Sequence, residues 1–175
     1  MFADPVKNLK QLGLRENMLV VDLGAGTGFY SIAAAKMVPH GKVYAIEIVR
    51  DYLPTIRNKA KEAHLSNLEC LHGNIEKLGG TKLKDCLADV LIISNVLSQA
   101  EDREGFIAEA KRILKPGGKI LLIDWTDNHT LAAPVQEKLI LKEKALELFA
   151  RKNISLEREI DAGSHHYGIV LASRK

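Results

Sequence analysis

Apolar positions along the chain follow two alternating rhythms. Five nearly continuous apolar runs read as strands buried on both faces: "MLVVDLG" (18–24), "KVYAIEI" (42–48), "LECLHG" (68–73), "ADVLIISNV" (88–96) and "KILLIDW" (119–125). Between them lie segments of helical character, "GFYSIAAAKMV" (28–38), "DYLPTIRNKAKEAHL" (51–65) and "EGFIAEAKRIL" (104–114). Asp51 is placed to cap the second of these, and Pro54 is tolerable in its first turn. "KPGG" (115–118) predicts a turn before the fifth strand. The end of the chain breaks the alternation. "ISLEREID" (154–161) and "YGIVLASR" (167–174) are strand candidates separated only by "AGSHH", which is too short for a helix, so they predict an antiparallel hairpin. The expected architecture is an α/β, doubly wound sheet, mostly parallel, with antiparallel character at one end.

Length and composition add limits. A chain of 175 residues with 46% hydrophobic and 27% charged content suits one soluble globular domain that needs no disulfide staples. Cys70 and Cys86 form no CxxC pair and read as reduced thiols, and "MFADPVKNLKQLG" carries no signal-peptide pattern, so a cytoplasmic location is expected. No run approaches the roughly 18 to 20 apolar residues that cross a bilayer, so no membrane insertion is expected. The net charge of +3 is spread over lysines interleaved with acids, which fits solvated helix faces better than a nucleic-acid track.

The chemistry concentrates in "VVDLGAGTGFYS". Gly24, Gly26 and Gly28 follow a strand and open a helix, which is the setting of a nucleotide-like ligand. A dinucleotide fingerprint would need a third glycine at position 29 so that helix and strand pack closely against a diphosphate site. Phe29 stands there and argues against NAD or FAD. Glu47, at the end of the second strand, can accept both hydroxyls of a ribose.

Taken together, these residues resemble the class I S-adenosylmethionine-dependent methyltransferases. "VVDLGAGTG" is similar to their first motif, "YAIEI" to the second-strand acid, and "LHGN" to the third-strand Gly-Asp site with asparagine in place of aspartate. "ADVLIISNVL" and "LKPGGKILLIDW" match the fourth and fifth strands, and the closing hairpin agrees with that family's last two strands. The resemblance implies a Rossmann-like seven-stranded sheet over a single domain, 1–175. Residues 1–17 would form a lid or helix, 18–125 the cofactor core, and 126–175 the substrate side. S-adenosylmethionine is the implied cofactor. Gly24, Ala25, Gly26 and Gly28 would let the backbone approach its methionine part. Asp22 would anchor the loop or reach the amine, and Glu47 would hold the ribose. Ile48 would pack on the adenine and Ile75 touch it through backbone. Asn74 would both accept from the adenine amino group and donate to the adjacent ring nitrogen. Ser94 would lie nearest the transferred methyl.

Ligands of open α/β sheets bind outside the carboxyl ends of the strands. A reversed last strand starts on that same edge, so it brings His165, His166 and Tyr167 there, with Asn95, Ser98 and Trp125 from the loops after strands four and five. His166 and Asn95 are the candidate catalytic residues. Trp125, His165, Tyr167 and Ser98 are the candidate substrate contacts. "MFADPVKNLKQLG" and "TDNHTLAAPVQEKLI" are the available covers, with Phe2 and Phe29 as apolar walls. "SNVL" replaces the Asn/Asp-Pro-Pro-Tyr/Phe motif of amino-methylating DNA and protein enzymes. Neither cysteine follows the fourth strand as 5-methylcytosine enzymes require, and the cysteine set of arsenic methyltransferases is missing. Among relatives the chain looks most like the small-molecule, ubiquinone/menaquinone-biosynthesis group. A small-molecule acceptor is therefore expected, without metal and with a homodimer left open. An RNA or protein methyltransferase, or a non-catalytic cofactor-binding partner subunit, are the alternatives.

Overall fold

The computed structural model describes residues 4–126 and 138–174. Helix α1 (Pro5–Leu12) comes first. Asp4 caps it by accepting from the amides of Val6 and Lys7, and Gly13 ends it with φ 76°. Then follow β1 (Leu19–Leu23), α2 (Phe29–Met37), β2 (Lys42–Glu47), α3 (Tyr52–Glu62), β3 (Leu68–His72), β4 (Ala88–Ser94), α4 (Arg103–Ile113), β5 (Leu114–Trp125), α5 (Lys142–Ala150), β6 (Ile154–Ile160) and β7 (His166–Ser173). The sheet order is β3-β2-β1-β4-β5-β7-β6. The first five strands pair in parallel, and β7 runs antiparallel between β5 and β6. The hairpin and the doubly wound sheet are therefore as expected.

Period-two alternation divides the core between the two faces of the sheet. Val21, Leu91, Ile93 and Ile120 point to a layer with Phe106, Ile113 and Phe149, against α4 and α5. Their neighbours Val20, Val90, Ile92 and Leu121 point to a layer with Leu9, Leu12 and Ala34, against α1 and α2. The helix at the N-terminus is thus packed into the core by Leu9 and Leu12, both essentially buried.

Two local expectations need correction. "KPGG" is not a turn ahead of the fifth strand but a bulge inside it. Pairing jumps from Ala88 opposite Leu114 to Val90 opposite Lys119, and Gly117 supplies the positive φ the extra residues need. Asp51 does not cap α3: its backbone is already helical and its side chain makes no capping bond.

The long connection from β3 to β4 is held by a buried ion pair. Glu109 of α4 is fully buried and accepts from the amides of Gly79 and Thr81, from the Thr81 hydroxyl and from the Arg112 guanidinium. Burial alone would raise its pKa, but the hydrogen bonds from Arg112, Thr81 and Gly79 win and hold it at about 2. Glu109→Gln should cost about 3 kcal/mol in urea unfolding, since a buried carboxylate that accepts from two amides, a hydroxyl and the Arg112 guanidinium loses its charge, while Arg112 keeps only Asp85 as an acid partner. The folded state binds fewer protons at this site than the unfolded chain between pH 4.5 and about 2, so the pair's stabilisation is present above that window and lost as pH falls through it. An unchanged unfolding midpoint in the variant would remove the clamp from the stability argument.

Candidate functional site

A cleft of about 1020 Å³ opens where β1, β2, β4 and β5 end. Its first half is built by the glycine loop. The Gly24 and Ala25 amides both donate to the Ile46 carbonyl, tying the loop to the end of β2. Gly24 has φ 76°, and a Cβ there would meet the Val96 side chain at 2.7 Å, so only glycine fits. Gly26 is different. It also has positive φ, 53°, but a Cβ would meet nothing within 4 Å, because the space beyond it is the open cleft.

Glu47 is 5% exposed, and its two carboxylate oxygens are split between backbone amides. Oε2 accepts from Gly26 at 2.7 Å and Oε1 from Val49 at 2.8 Å. Each oxygen keeps lone-pair capacity for a further donor. Asp22, also buried, accepts from the Ser31 hydroxyl at 2.5 Å. Burial pushes its carboxyl up to about 6; the Ser31 hydrogen bonds oppose this and the Glu47 charge adds to it. Asn74 accepts at Oδ1 from the Glu76 amide, which turns the chain into the cleft wall. Ile48, half exposed, and Ile75, buried, line the cleft with it, and so do Ala25 and Ser94; Gly28 lies in an adjoining groove over α2 and α3.

The second half comes from the ends of β4, β5 and β7. Asn95 sits just past β4 with φ 57°, its backbone amide donating to the Ile123 carbonyl and its Oδ1 buried without a partner among the described residues. Asparagine tolerates this left-handed conformation more readily than most side chains, and the residue lines the cleft. Trp125 pairs across the sheet with His166, and their rings lie 4.3 Å apart, tilted by 32°. His166 is 5% exposed, lines the cleft, and has no partner at either ring nitrogen among the described residues. Burial, with the neighbouring His165 charge second, holds its pKa below the ordinary 6.5, so the imidazole is neutral at pH 7.

The structure does not bring every expected residue to the cleft. Tyr167, opposite Asp124, points to the other face of the sheet and is buried in the core layer with Phe106. Alternation along β7 dictates this once His166 faces the cleft. Ser98 is buried beneath the turn after β4, its amide donating to Asp124 and its carbonyl accepting from Arg103, and it does not line the cleft. His165 also lies outside the lining residues; its carbonyl accepts from Thr126. Phe29 forms the rim, 69% exposed, with the Lys59 ammonium 4.2 Å from its ring centre. Phe2, and the proposed cover 126–140 over residues 127–137, lie outside the described residues. Sequence reasoning missed Tyr30, which lines the cleft two residues after the last glycine, and Glu76 and Val96 beside it; Gln99, a polar candidate from the loop after the fourth strand, does line the cleft. The only available signal was Tyr30's place within "GTGFYS". Among the described residues no group of His, Cys, Asp and Glu could hold a metal ion. No helix among them is long and apolar enough to cross a membrane.

Comparison with known proteins agrees with this geometry. A methyltransferase domain family model matches residues 14–162. A demethylmenaquinone methyltransferase from Listeria welshimeri is 32% identical over 119 residues, 67% of this chain and 49% of that protein. An arsenite methyltransferase from Aquipseudomonas alcaligenes is 28% identical over 139 residues, 76% of this chain and 40% of that protein. The chain thus spans about half the length, or less, of these curated relatives. A crystal structure of a SAM dependent methyltransferase from Aquifex aeolicus superposes with a TM-score of 0.88 at 28% identity, covering 98% of this chain and 90% of that one. With a family match over most of its length and a superposition that covers 98% of it, the chain belongs to the methyltransferase domain family, in its class I, S-adenosylmethionine-dependent group.

Proposed function

We propose that the chain transfers a methyl group from S-adenosylmethionine to an uncharged or cationic small molecule bearing an O–H or N–H donor. The observation that carries this reading is the pairing, in one cleft, of a cofactor half with two unused buried polar groups, His166 and the Asn95 carbonyl oxygen.

The cofactor half fits an adenosyl amino acid. The open volume over Gly26 adjoins a carboxylate already oriented by two amides, so Glu47 can accept two ribose hydroxyls without moving. Asn74, Ile48 and Ile75 offer the amide and the apolar walls that an adenine ring requires, and Gly28 ends the loop. Asp22 lies deepest and suits the cationic amine. When bound, the cofactor supplies an activated methyl group on a sulfonium, so the protein's task is to place the acceptor and receive its proton.

The acceptor half has the groups for both. Neutral His166 can take a proton from an acceptor O–H or N–H, and Asn95 Oδ1 can accept a second hydrogen bond that fixes the ring in line. Trp125 packs behind His166 and limits its rotation. Charge selects the acceptor class. Asp22, Glu47 and Glu76 line the cleft, while no Lys or Arg does among the described residues. Phosphate- or carboxylate-bearing acceptors, nucleic acid included, would meet like charge without a partner.

Calorimetry should detect binding of S-adenosylhomocysteine and S-adenosylmethionine and none of NAD. Glu47→Ala should weaken S-adenosylhomocysteine by about tenfold or more, because two charge-assisted hydrogen bonds are lost. Equal affinity in this variant would place the ribose elsewhere.

Binding should also weaken as pH falls through about 6, where Asp22 takes up its proton and loses the charge that attracts the amine. Asp22→Asn should bind more weakly at pH 8 and show a flatter profile; a wild-type affinity that stays constant from pH 8 to 5 contradicts the placement.

An acceptor panel of matched neutral and anionic rings, read by S-adenosylhomocysteine release, tests the substrate class. With an accepted ring, His166→Ala should lower turnover by at least about tenfold while cofactor affinity stays within about twofold. Full activity in that variant would leave catalysis to positioning alone.

A further inference from the structure

Asn8 is fully buried, on a helix outside the sheet whose other buried residues are Leu9 and Leu12. An amide in such a place is costly unless it is hydrogen-bonded, and leucine would pack there more cheaply. Its Nδ2 donates to the Tyr30 hydroxyl at 2.8 Å, and its Oδ1 has no partner among the described residues. Tyr30 lines the cleft, its hydroxyl also hydrogen-bonds the Ser94 side chain, and it lies close enough to Asp22 to feel its charge. Three elements, α1, α2 and the end of β4, therefore meet at one hydroxyl between the glycine loop and the acceptor half.

The far side of α1 is fastened as well. Lys7 pairs with Asp161, Gln11 donates to the Asp161 carbonyl and accepts from its amide, and Arg158 donates to the carbonyls of Gln11 and Leu12. Asp161 in turn accepts from Gly163, whose carbonyl accepts from the His166 amide. One helix thus links the hydroxyl at the cleft floor to the turn that presents His166.

We propose that Asn8 is a positioning residue for the cofactor site, fixing the Tyr30 hydroxyl against Ser94. The inference rests on the adenosyl-binding reading of the cleft. It predicts a separation that ordinary packing would not give. Asn8→Leu removes an imperfectly satisfied buried amide and keeps the volume, so the thermal midpoint should stay level or rise. S-adenosylhomocysteine affinity should nevertheless fall roughly three- to tenfold, because Tyr30 loses the bond that orients it.

Tyr30→Phe should show a loss of similar size, and the Asn8→Leu/Tyr30→Phe double variant should lose no more than the weaker-binding single variant, since both act through one hydroxyl. Calorimetry and thermal unfolding on these three proteins and the wild type decide the matter. Variants that bind as the wild type does, or losses that simply add, overturn the Asn8 assignment. An affinity loss in Asn8→Leu that tracks a lowered midpoint also overturns it, by showing a packing effect. If the wild-type protein itself binds neither adenosyl compound, the reading of the cleft fails first and this inference falls with it.

Discussion

The Glu47 carboxylate, held between the amides of Gly26 and Val49, is the constraint on which the site depends. It joins the loop after β1 to the loop after β2, and the Gly24 and Ala25 amides on the Ile46 carbonyl close the same seam. These bonds use backbone groups that would otherwise be unsatisfied at strand ends, so the arrangement needs no ligand to hold its shape. A carboxylate already oriented this way loses little entropy when a ligand's hydroxyls arrive. The same loop cannot tolerate a side chain at Gly24, where Val96 leaves no room, and leaves open space at Gly26, where the ligand would lie.

The second constraint is the reversed strand. Had β7 run parallel to β5, its first residues would sit at the opposite edge of the sheet. Running antiparallel, it places His166 beside Trp125, at the carboxyl end of β5. The hairpin thus brings an imidazole from late in the sequence to a cleft whose glycine loop comes early in it. Among the described residues, His166 and the Asn95 Oδ1 have no hydrogen-bond partner there, which is costly for a fold that leaves them so.

Stability is concentrated elsewhere. The Glu109–Arg112 pair secures the connection between β3 and β4, from which Asn74 and Glu76 enter the cleft wall. Glu76 then accepts from the amides of Glu101 and Asp102, tying that wall to the start of α4. Each wall of the cleft is therefore braced by side-chain-to-backbone bonds beneath it, the arrangement that keeps a binding geometry from loosening.

Local order was legible in the sequence: the five strand runs (though β3 is an edge strand with no fully buried residue, because no described strand pairs on its outer side), the closing hairpin, the glycine loop, and the acid that follows it on β2. Periodicity and the backbone needs of glycine are properties of neighbouring residues, so they can be read without tertiary information. The bulge at "KPGG" was misread because a turn and a bulge ask for the same residues, and only the pairing of β4 with β5 distinguishes them. The orientation of "HHY" was beyond the sequence for a similar reason. His166 faces the cleft while Tyr167 enters the core and His165 lies aside, an outcome set by the β5–β7 register, which a shift of one residue would invert. Ser98 and Asn8 make the same point: one looked available and is buried under Asp124, the other carries no signal in the sequence and reaches the cleft through Tyr30. The sequence determined which elements form and where a ligand loop lies; long-range packing decided which polar side chains reach it, because facing depends on partners distant in the chain.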